Sequence, residues 1–302
     1  MEYKYDISFI SINYNGFKDT CELIDSIKRV VHKVSFEILI VDNQSREDEA
    51  TALSSRYPDI VVIASKKNLG FAGGNNVAIP QAQGRYLFFI NNDTLLEEDN
   101  LDCLISRIES KKNIGMVCPK LRFTWGIRQI QFAGFTPLSK ITLRNYGIGC
   151  GEEEAGQYNE AHATPFAHGA AMMIKREVIE KAGMMWDGYF LYYEEMDWSE
   201  HIIKAGYEIW YEPAQTIFHK ESKSVGADSP MKVYYLTRNR LLFAKRNREG
   251  FSRLLCYCYL TFVALNIHVP KYLVKGKTKQ CKSVLRGIKD FYFRHQTSSH
   301  IQ

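Results

Sequence analysis

The chain has 302 residues, 45% hydrophobic and 24% charged, with a formal net charge of +5. That balance excludes a disordered chain and leaves one large domain, or one with an appendage, whose core needs neither disulfides nor a structural metal. The seven cysteines are scattered and odd in number, which excludes a zinc cluster and a secreted disulfide framework and predicts reduced thiols.

The first six residues, Met1 to Asp6, run straight into a strand pattern without the basic and apolar regions of a signal peptide, so a cytoplasmic location is expected. Ile7 to Ile12 is an apolar run suited to a buried parallel strand, and Lys18 to Val31 follows with helical spacing. Phe36 to Val41, Ile60 to Ile63 and Tyr86 to Ile90 give three further strands, with helices expected around Arg46 to Arg56 and Gly74 to Gln83. This alternation predicts an α/β fold: a mostly parallel central sheet flanked by helices. After about residue 120 it fades, and Arg122 to Phe166 reads as loops and short strands shaping a pocket. From Ala170 come a strand, a short helix, a Gly-Tyr-Phe turn and an acidic helix start, and Met231 to Arg246 and Phe251 to Val269 are expected helices.

Ligands of parallel sheets bind beyond the carboxyl ends of the strands, so the residues there matter most. Strand one ends in Asn13-Tyr14-Asn15-Gly16, strand two in Asp42-Asn43-Gln44-Ser45, and strand four in Asn91-Asn92-Asp93-Thr94. Strand three leads to Asn68-Leu69-Gly70-Phe71-Ala72-Gly73-Gly74-Asn75-Asn76. One such turn is explained by a helix cap or an Asx turn; four on one sheet edge point to a polar ligand. Asp42 suits a nucleobase or ribose, and the glycines from Gly70 let backbone amides approach a ligand at a helix start. The glycines do not follow the first strand, so this is not a dinucleotide fingerprint, and no phosphate-binding P-loop exists. Asp93 either caps the next helix or holds Mg²⁺ or Mn²⁺ together with substrate phosphates.

A second cluster, Phe190-Leu191-Tyr192-Tyr193-Glu194-Glu195-Met196-Asp197-Trp198, sets three carboxylates among aromatics. An acidic first helical turn accounts for the charges but not for the aromatic run before them. A sugar pocket uses both: an apolar wall for the ring and a carboxylate to take the acceptor proton. His219 stands beside Lys220 and near Ser222 and Ser224, a polar group suited to metal or phosphate, and Arg238-Asn239-Arg240 lies in a helical pattern.

Taken in order, these segments resemble glycosyltransferase family 2, and within it the rhamnosyltransferase-like enzymes of bacterial surface polysaccharide assembly. The resemblance covers roughly residues 6 to 247 and includes Ser11-Ile12-Asn13-Tyr14-Asn15, Val41 to Ser45, Asn68 to Asn76, His168-Gly169-Ala170-Ala171-Met172, Tyr193 to Asp197 and Arg238-Asn239-Arg240. It implies a GT-A fold with a nucleotide half to about residue 120, an acceptor half to 247, and a helical basic extension over 248–302. It implies a nucleotide-diphosphate sugar donor, dTDP- or UDP-linked, with rhamnose the leading sugar and a glycan, with a lipid-linked one among the candidates, as acceptor. Ser11, Tyr14, Asn15, Asp42, Asn68, Gly70, Phe71, Asn76, Asn92, Arg238 and Arg240 are then expected on the donor, and Asp93 and His219 at a Mn²⁺ or Mg²⁺ ion. Asn91 stands where the family's metal motif has its first Asp, which leaves fewer charged ligands. Glu195, between Glu194 and Asp197, takes the place of the catalytic base, where the family usually has the shorter Asp, and inversion at the anomeric carbon is implied. The competing reading is a nucleotide-sugar- or glycan-binding protein on the same fold.

Leu254 to Val269 carries no charge, and Arg246, Arg248 and Arg253 precede it. After it come Lys271, Lys275, Lys277, Lys279, Lys282, Arg286, Lys289 and Arg294 against Asp290 alone. The run is short of the ~20 residues a spanning helix needs. It suits a helix at an anionic membrane surface, with peripheral contact at the inner face of the plasma membrane, or else a core or dimer helix; no nucleic-acid partner is expected.

Overall fold

The computed structural model describes residues 3–221 and 229–293. Ser222, Ser224 and Arg294 lie outside the described residues. The chain runs β1 (Tyr5–Asn13), α1 (Phe17–Val30), β2 (Phe36–Asp42), α2 (Glu49–Arg56), β3 (Val61–Ala64), α3 (Gly70–Ala78) and β4 (Gly84–Ile90). It continues with β5 (Thr94–Leu96), α4 (Leu101–Glu109), β6 (Ile114–Phe123), β7 (Ile130–Phe132), β8 (His162–Ala163), β9 (Ala171–Lys175), α5 (Arg176–Ala182) and a short 3₁₀ turn at Asp187–Tyr189. Then follow α6 (Glu194–Lys204), β10 (Glu208–His219), α7 (Pro230–Asn247), α8 (Gly250–Val263), a π-helical turn (Ala264–His268), α9 (Val269–Val274) and α10 (Thr278–Phe293).

The sheet order is β3-β2-β1-β4-β9-β6-β10-β5. The longest ladders are parallel, β1 with β2 and β4, and β6 with β10, while β9 is inserted antiparallel between β4 and β6. Because β9 reverses twice, β6 and β10 point the same way as β1, β2 and β4. Their carboxyl ends therefore share one edge. The apolar strand residues, among them Phe9, Ile40, Phe88 and Val117, are buried between the two helical layers, as a sheet covered on both faces requires.

Three readings of the sequence need adjusting. The helix expected from Gly74 begins at Gly70 and ends at Ala78, and the one expected from Arg46 begins at Glu49 after its Asp48 cap, whose side chain accepts from the Thr51 amide. The central strand β6 and helix α4 went unmarked: β6 carries Pro119, Lys120 and Arg122, which break its apolar run, yet Lys120 is buried on Glu154 at 2.8 Å. The region after Phe123 is loops with the short β7 and β8, as expected.

Candidate functional site

Asn13 and Asp42 end neighbouring strands in register, and Asn13 Nδ2 donates to Asp42 Oδ1 at 2.8 Å. The turn after β2 folds Ser45 back, so that its hydroxyl donates to Oδ1 at 2.6 Å and its amide to Oδ2 at 3.2 Å. Asn13 Nδ2 also reaches Glu49 at 2.7 Å, while its Oδ1 accepts the Thr20 hydroxyl at 2.7 Å. The buried Asp42 carboxylate is thus aimed before any ligand arrives. Ser11, two residues back on the same strand face, is buried with a hydroxyl that has no protein partner. Tyr14 is half exposed beside it. Asn15, in the left-handed region at φ 52°, receives the Arg46 amide on Oδ1 at 2.9 Å and donates its own amide to Ser45 Oγ at 2.8 Å. Asn92 Nδ2 donates to Thr20 Oγ1 at 3.0 Å, which ties the end of β4 to α1.

Asn68 accepts from the Gly70 amide at 2.9 Å and from Asn43 Nδ2 at 3.1 Å, so the loop before α3 is held to the end of β2. Gly70 has φ +70°, and a β-carbon there would stand 2.1 Å from the Phe190 carbonyl oxygen. Only glycine permits that approach. The Phe71 amide donates to the same carbonyl at 2.8 Å, joining the start of α3 to the aromatic run before the acidic helix. Asn76 is placed differently: Nδ2 donates to the Met185 carbonyl at 2.7 Å, and it lines a cavity of about 350 Å³ with Trp186, Asp187, Asp197, His201 and Arg246.

Asp93 and His219 meet at the shared edge, with Oδ1 3.1 Å from Nε2. The antiparallel register of β5 and β10 sets His219 opposite Thr94, next to Asp93, and both side chains are buried. His219 Nδ1 donates to Gln131 Oε1 at 2.9 Å. That hydrogen bond leaves Nε2 as the ring nitrogen that faces the Asp93 carboxylate. Asp93 Oδ1 and His219 Nε2 at this separation suit adjacent ligands of one divalent cation, with Gln131 fixing the ring. Among the described residues no group of three or more His, Cys, Asp and Glu converges, so any cation here would draw its other ligands from substrate and water. Lys220 is engaged elsewhere, on Asp19 and Glu22 at 2.6 Å each.

The three carboxylates of α6 have three different environments. Asp197 is buried and accepts from Tyr189 Oη at 3.0 Å, Arg246 Nε at 3.0 Å and Asn247 Nδ2 at 2.5 Å, which makes it an anchor. Glu194 is 1% exposed, and its Oε1 has no protein partner. Burial, then the neighbouring Glu195 charge, pushes its carboxyl well above the ordinary value. Glu195 is half-buried, and burial raises its carboxyl too. Its carboxyl carbon lies 3.7 Å from where a β-carbon on Gly169 would stand, as does the Phe71 ring.

Before α6, Phe190, Tyr192 and Tyr193 all adopt positive φ, 70°, 69° and 83°. For bulky residues each such conformation costs about 1–3 kcal/mol and persists only where the surroundings fix it. Here Asn239 fixes it: its buried amide donates to the carbonyls of Tyr189, Leu191 and Tyr192 at 3.1, 2.7 and 2.9 Å. Arg238 Nη2 donates to the Tyr189 carbonyl at 2.5 Å, and Arg240 Nε to the Tyr193 hydroxyl at 2.7 Å. Both arginines are therefore occupied in holding the acidic segment. No local pattern marks the roles of Gln131, Glu49 and Asn239, because each acts on a segment remote in the chain.

The turn of residues 168–170 joins the two clusters. The Asn91 amide donates to the Ala170 carbonyl at 2.9 Å, the His168 ring lies 6.4 Å from His219, and Gly169 adjoins Glu195. Burial, then His219, lowers His168 to about 3, so it stays neutral.

With this geometry in place, comparison with known proteins is informative. The family model for Glycosyl transferase family 2 matches residues 8–183. The chain is 26% identical over 242 residues to the low-salt glycan biosynthesis hexosyltransferase Agl10 of Haloferax volcanii, covering 78% of this chain and 75% of that protein. It is 21% identical over 236 residues to an N-acetylglucosaminyl-diphospho-decaprenol L-rhamnosyltransferase of Mycobacterium tuberculosis, covering 72% and 76%. Among solved structures, the mannosyltransferase PcManGT of Pyrobaculum calidifontis, in complex with GDP-Man and Mn²⁺, superposes with a TM-score of 0.59 at 16% identity, over 97% of this chain and 89% of that one. That likeness shows the fold, which is GT-A.

Proposed function

The chain belongs to glycosyl transferase family 2, and from that premise we propose that it moves a sugar from a nucleotide diphosphate to a hydroxyl of a glycan acceptor, with inversion at the anomeric carbon. The observation that carries this reading is the continuity from Asp93 and His219 through residues 168–170 to Glu195, a carboxylate with no structural task beside a pair suited to a cation. Asp42, aimed by Asn13 and Ser45, holds the base or ribose, with Ser11, Tyr14 and Asn68 around it. Mn²⁺ or Mg²⁺ on Asp93 and His219 would offset the charge of the departing diphosphate. Glu195 accepts the proton of the acceptor hydroxyl as that oxygen attacks the anomeric carbon. Burial keeps Glu195 a better base than a solvated carboxylate, and Glu194 beside it has a carboxyl oxygen with no protein partner. Asp197 serves by anchoring α6 to α7.

For the donor we infer dTDP-rhamnose, with the sugar and a diphospho-lipid-linked acceptor supported by the name of the rhamnosyltransferase relative; action at the cytoplasmic face of a membrane is part of the same proposal. A thermal-shift and hydrolysis panel of dTDP-, UDP- and GDP-sugars with Mn²⁺, Mg²⁺ or EDTA tests this. Metal-dependent stabilisation and slow cleavage of dTDP-rhamnose are expected. Cleavage of another nucleotide class alone would replace the donor, and silence toward every donor in folded protein would favour a binding protein without turnover.

A further inference from the structure

The helices that follow α7 present a surface that the proposed reaction does not use. From Gly250 to Val274 the chain is one continuous 25-residue helix that is long and apolar enough to cross a membrane by composition. It is apolar on two sides. Cys256 and Leu260 pack on Leu241, Leu242, Phe243 and Ala244 of α7. On the other side Phe251, Leu254, Cys258, Phe262 and Leu265 recur at spacings of three and four, and all are exposed, Phe251 by 72% and Phe262 by 61%. A soluble helix normally turns such a stripe inward. An exposed apolar row of this length marks an interaction site.

The neighbouring α10 extends the row. Lys282, Leu285, Lys289 and Tyr292 share one exposed helix face, while Cys281, Val284 and Gly287 are buried on the opposite side. Tyr292 Oη is 2.9 Å from Thr261 Oγ1, and its ring packs on Tyr257, so the two exposed faces adjoin beside Phe262. Charge around the apolar row is one-sided. Leu254 to Pro270 holds no charged residue, and the flanks supply exposed Arg253, Lys271, Lys275, Lys279, Lys282 and Lys289. Of the two acidic residues over 248–293, Asp290 is buried on Tyr234, which leaves Glu249 exposed.

We propose that this face, α8 to α10, docks the protein onto an anionic lipid bilayer, with the Phe251–Leu265 row in the acyl boundary and the lysines on the headgroups. Charge complementarity selects the occupant: a second copy of this chain would bring two lysine-rich rims together, whereas an anionic bilayer meets both the apolar row and its basic flanks. Packing of the opposite side on α7 suits a helix lying in the interface. The inference stands apart from the transferase reading, since vesicle binding and donor cleavage are measured separately.

The test is flotation of the full chain with vesicles of phosphatidylcholine and phosphatidylglycerol, against phosphatidylcholine alone. Binding is expected with the anionic vesicles only, and it weakens as salt rises. Lys275, Lys279 and Lys282 changed together to Gln should weaken it on the order of 100-fold. F262E with L265E should abolish it, and the unfolding midpoint of that variant checks that it folds. F262W gives an independent reading: indole emission should shift to the blue with anionic vesicles and be quenched by brominated acyl chains. No flotation, equal binding to both vesicles, or an unshifted F262W indole would overturn the proposal, and a stable dimer lost in F262E/L265E without vesicle binding would assign the face to a second copy.

Discussion

The two halves of the site are built in different ways. On the nucleotide side, Asp42 is aimed by Asn13 and Ser45, residues at or just beyond the ends of adjacent strands, so the sheet itself brings the partners together. On the acceptor side, Glu194 and Glu195 follow a run with three aromatic residues at positive φ, held by Asn239 and Arg238 from a helix some fifty positions later. The first half is preorganised by register; the second is preorganised by a buttress that offsets local strain. A buttressed site is the more fragile, because one side chain maintains several backbone positions.

Substitutions can break or sharpen that contrast. Asp93→Asn should have the largest effect of this group, lowering metal-stimulated donor cleavage by on the order of 100-fold or more while the unfolding midpoint holds; it is read by a Mn²⁺ titration of hydrolysis. Asn239→Ala should cost about 3 kcal/mol of stability, because the Leu191 and Tyr192 carbonyls lose the donor that holds them and the Tyr189 carbonyl keeps Arg238 alone. It should also lower turnover more than donor affinity, which denaturant unfolding and a KM-against-kcat comparison check; equal effects on both would remove the distinction between the halves.

Glu194→Gln should act in the opposite direction on stability. A buried carboxyl raised above 4.5 binds its proton more tightly in the folded state, so stability is full at low pH and falls as pH rises through the raised value. The amide removes that loss, and the variant should unfold about 3 °C higher at pH 8 with no gain at pH 4. Scanning calorimetry at the two pH values decides it. Ser11→Ala should be the mildest change: its hydroxyl has no protein partner, so stability should move by less than about 0.5 kcal/mol while donor affinity, measured by calorimetry, falls several-fold.

The contrast also explains what was legible in the sequence. Strand ends are local: an apolar run followed by Asn, Asp or Gly announces both the element and the polar edge, and Asn13, Asp42, Asn68 and Asp93 all fall where that pattern puts them. The pairing of Asp93 with His219 follows from β5 lying antiparallel to the end of β10, a contact no spacing shows. Strand β6 is hidden in the sequence because Lys120 is buried through two partners remote in the chain, Glu154 and Asn159. Arg238 and Arg240 are expected on the donor from the sequence, since nothing local reveals that loop carbonyls and a tyrosine hydroxyl occupy them. Of the carboxylates on α6, composition marked the cluster, but only packing separates the anchor Asp197 from Glu195.

In the proposed reaction Glu195 takes the acceptor proton while Asp197 only holds α6 in place. Single-turnover transfer by Glu195→Gln, with donor binding measured on the same sample, addresses it most directly. The transfer rate should fall on the order of 1,000-fold, with donor affinity unchanged within about threefold. Near-normal transfer by Glu195→Gln would contradict it.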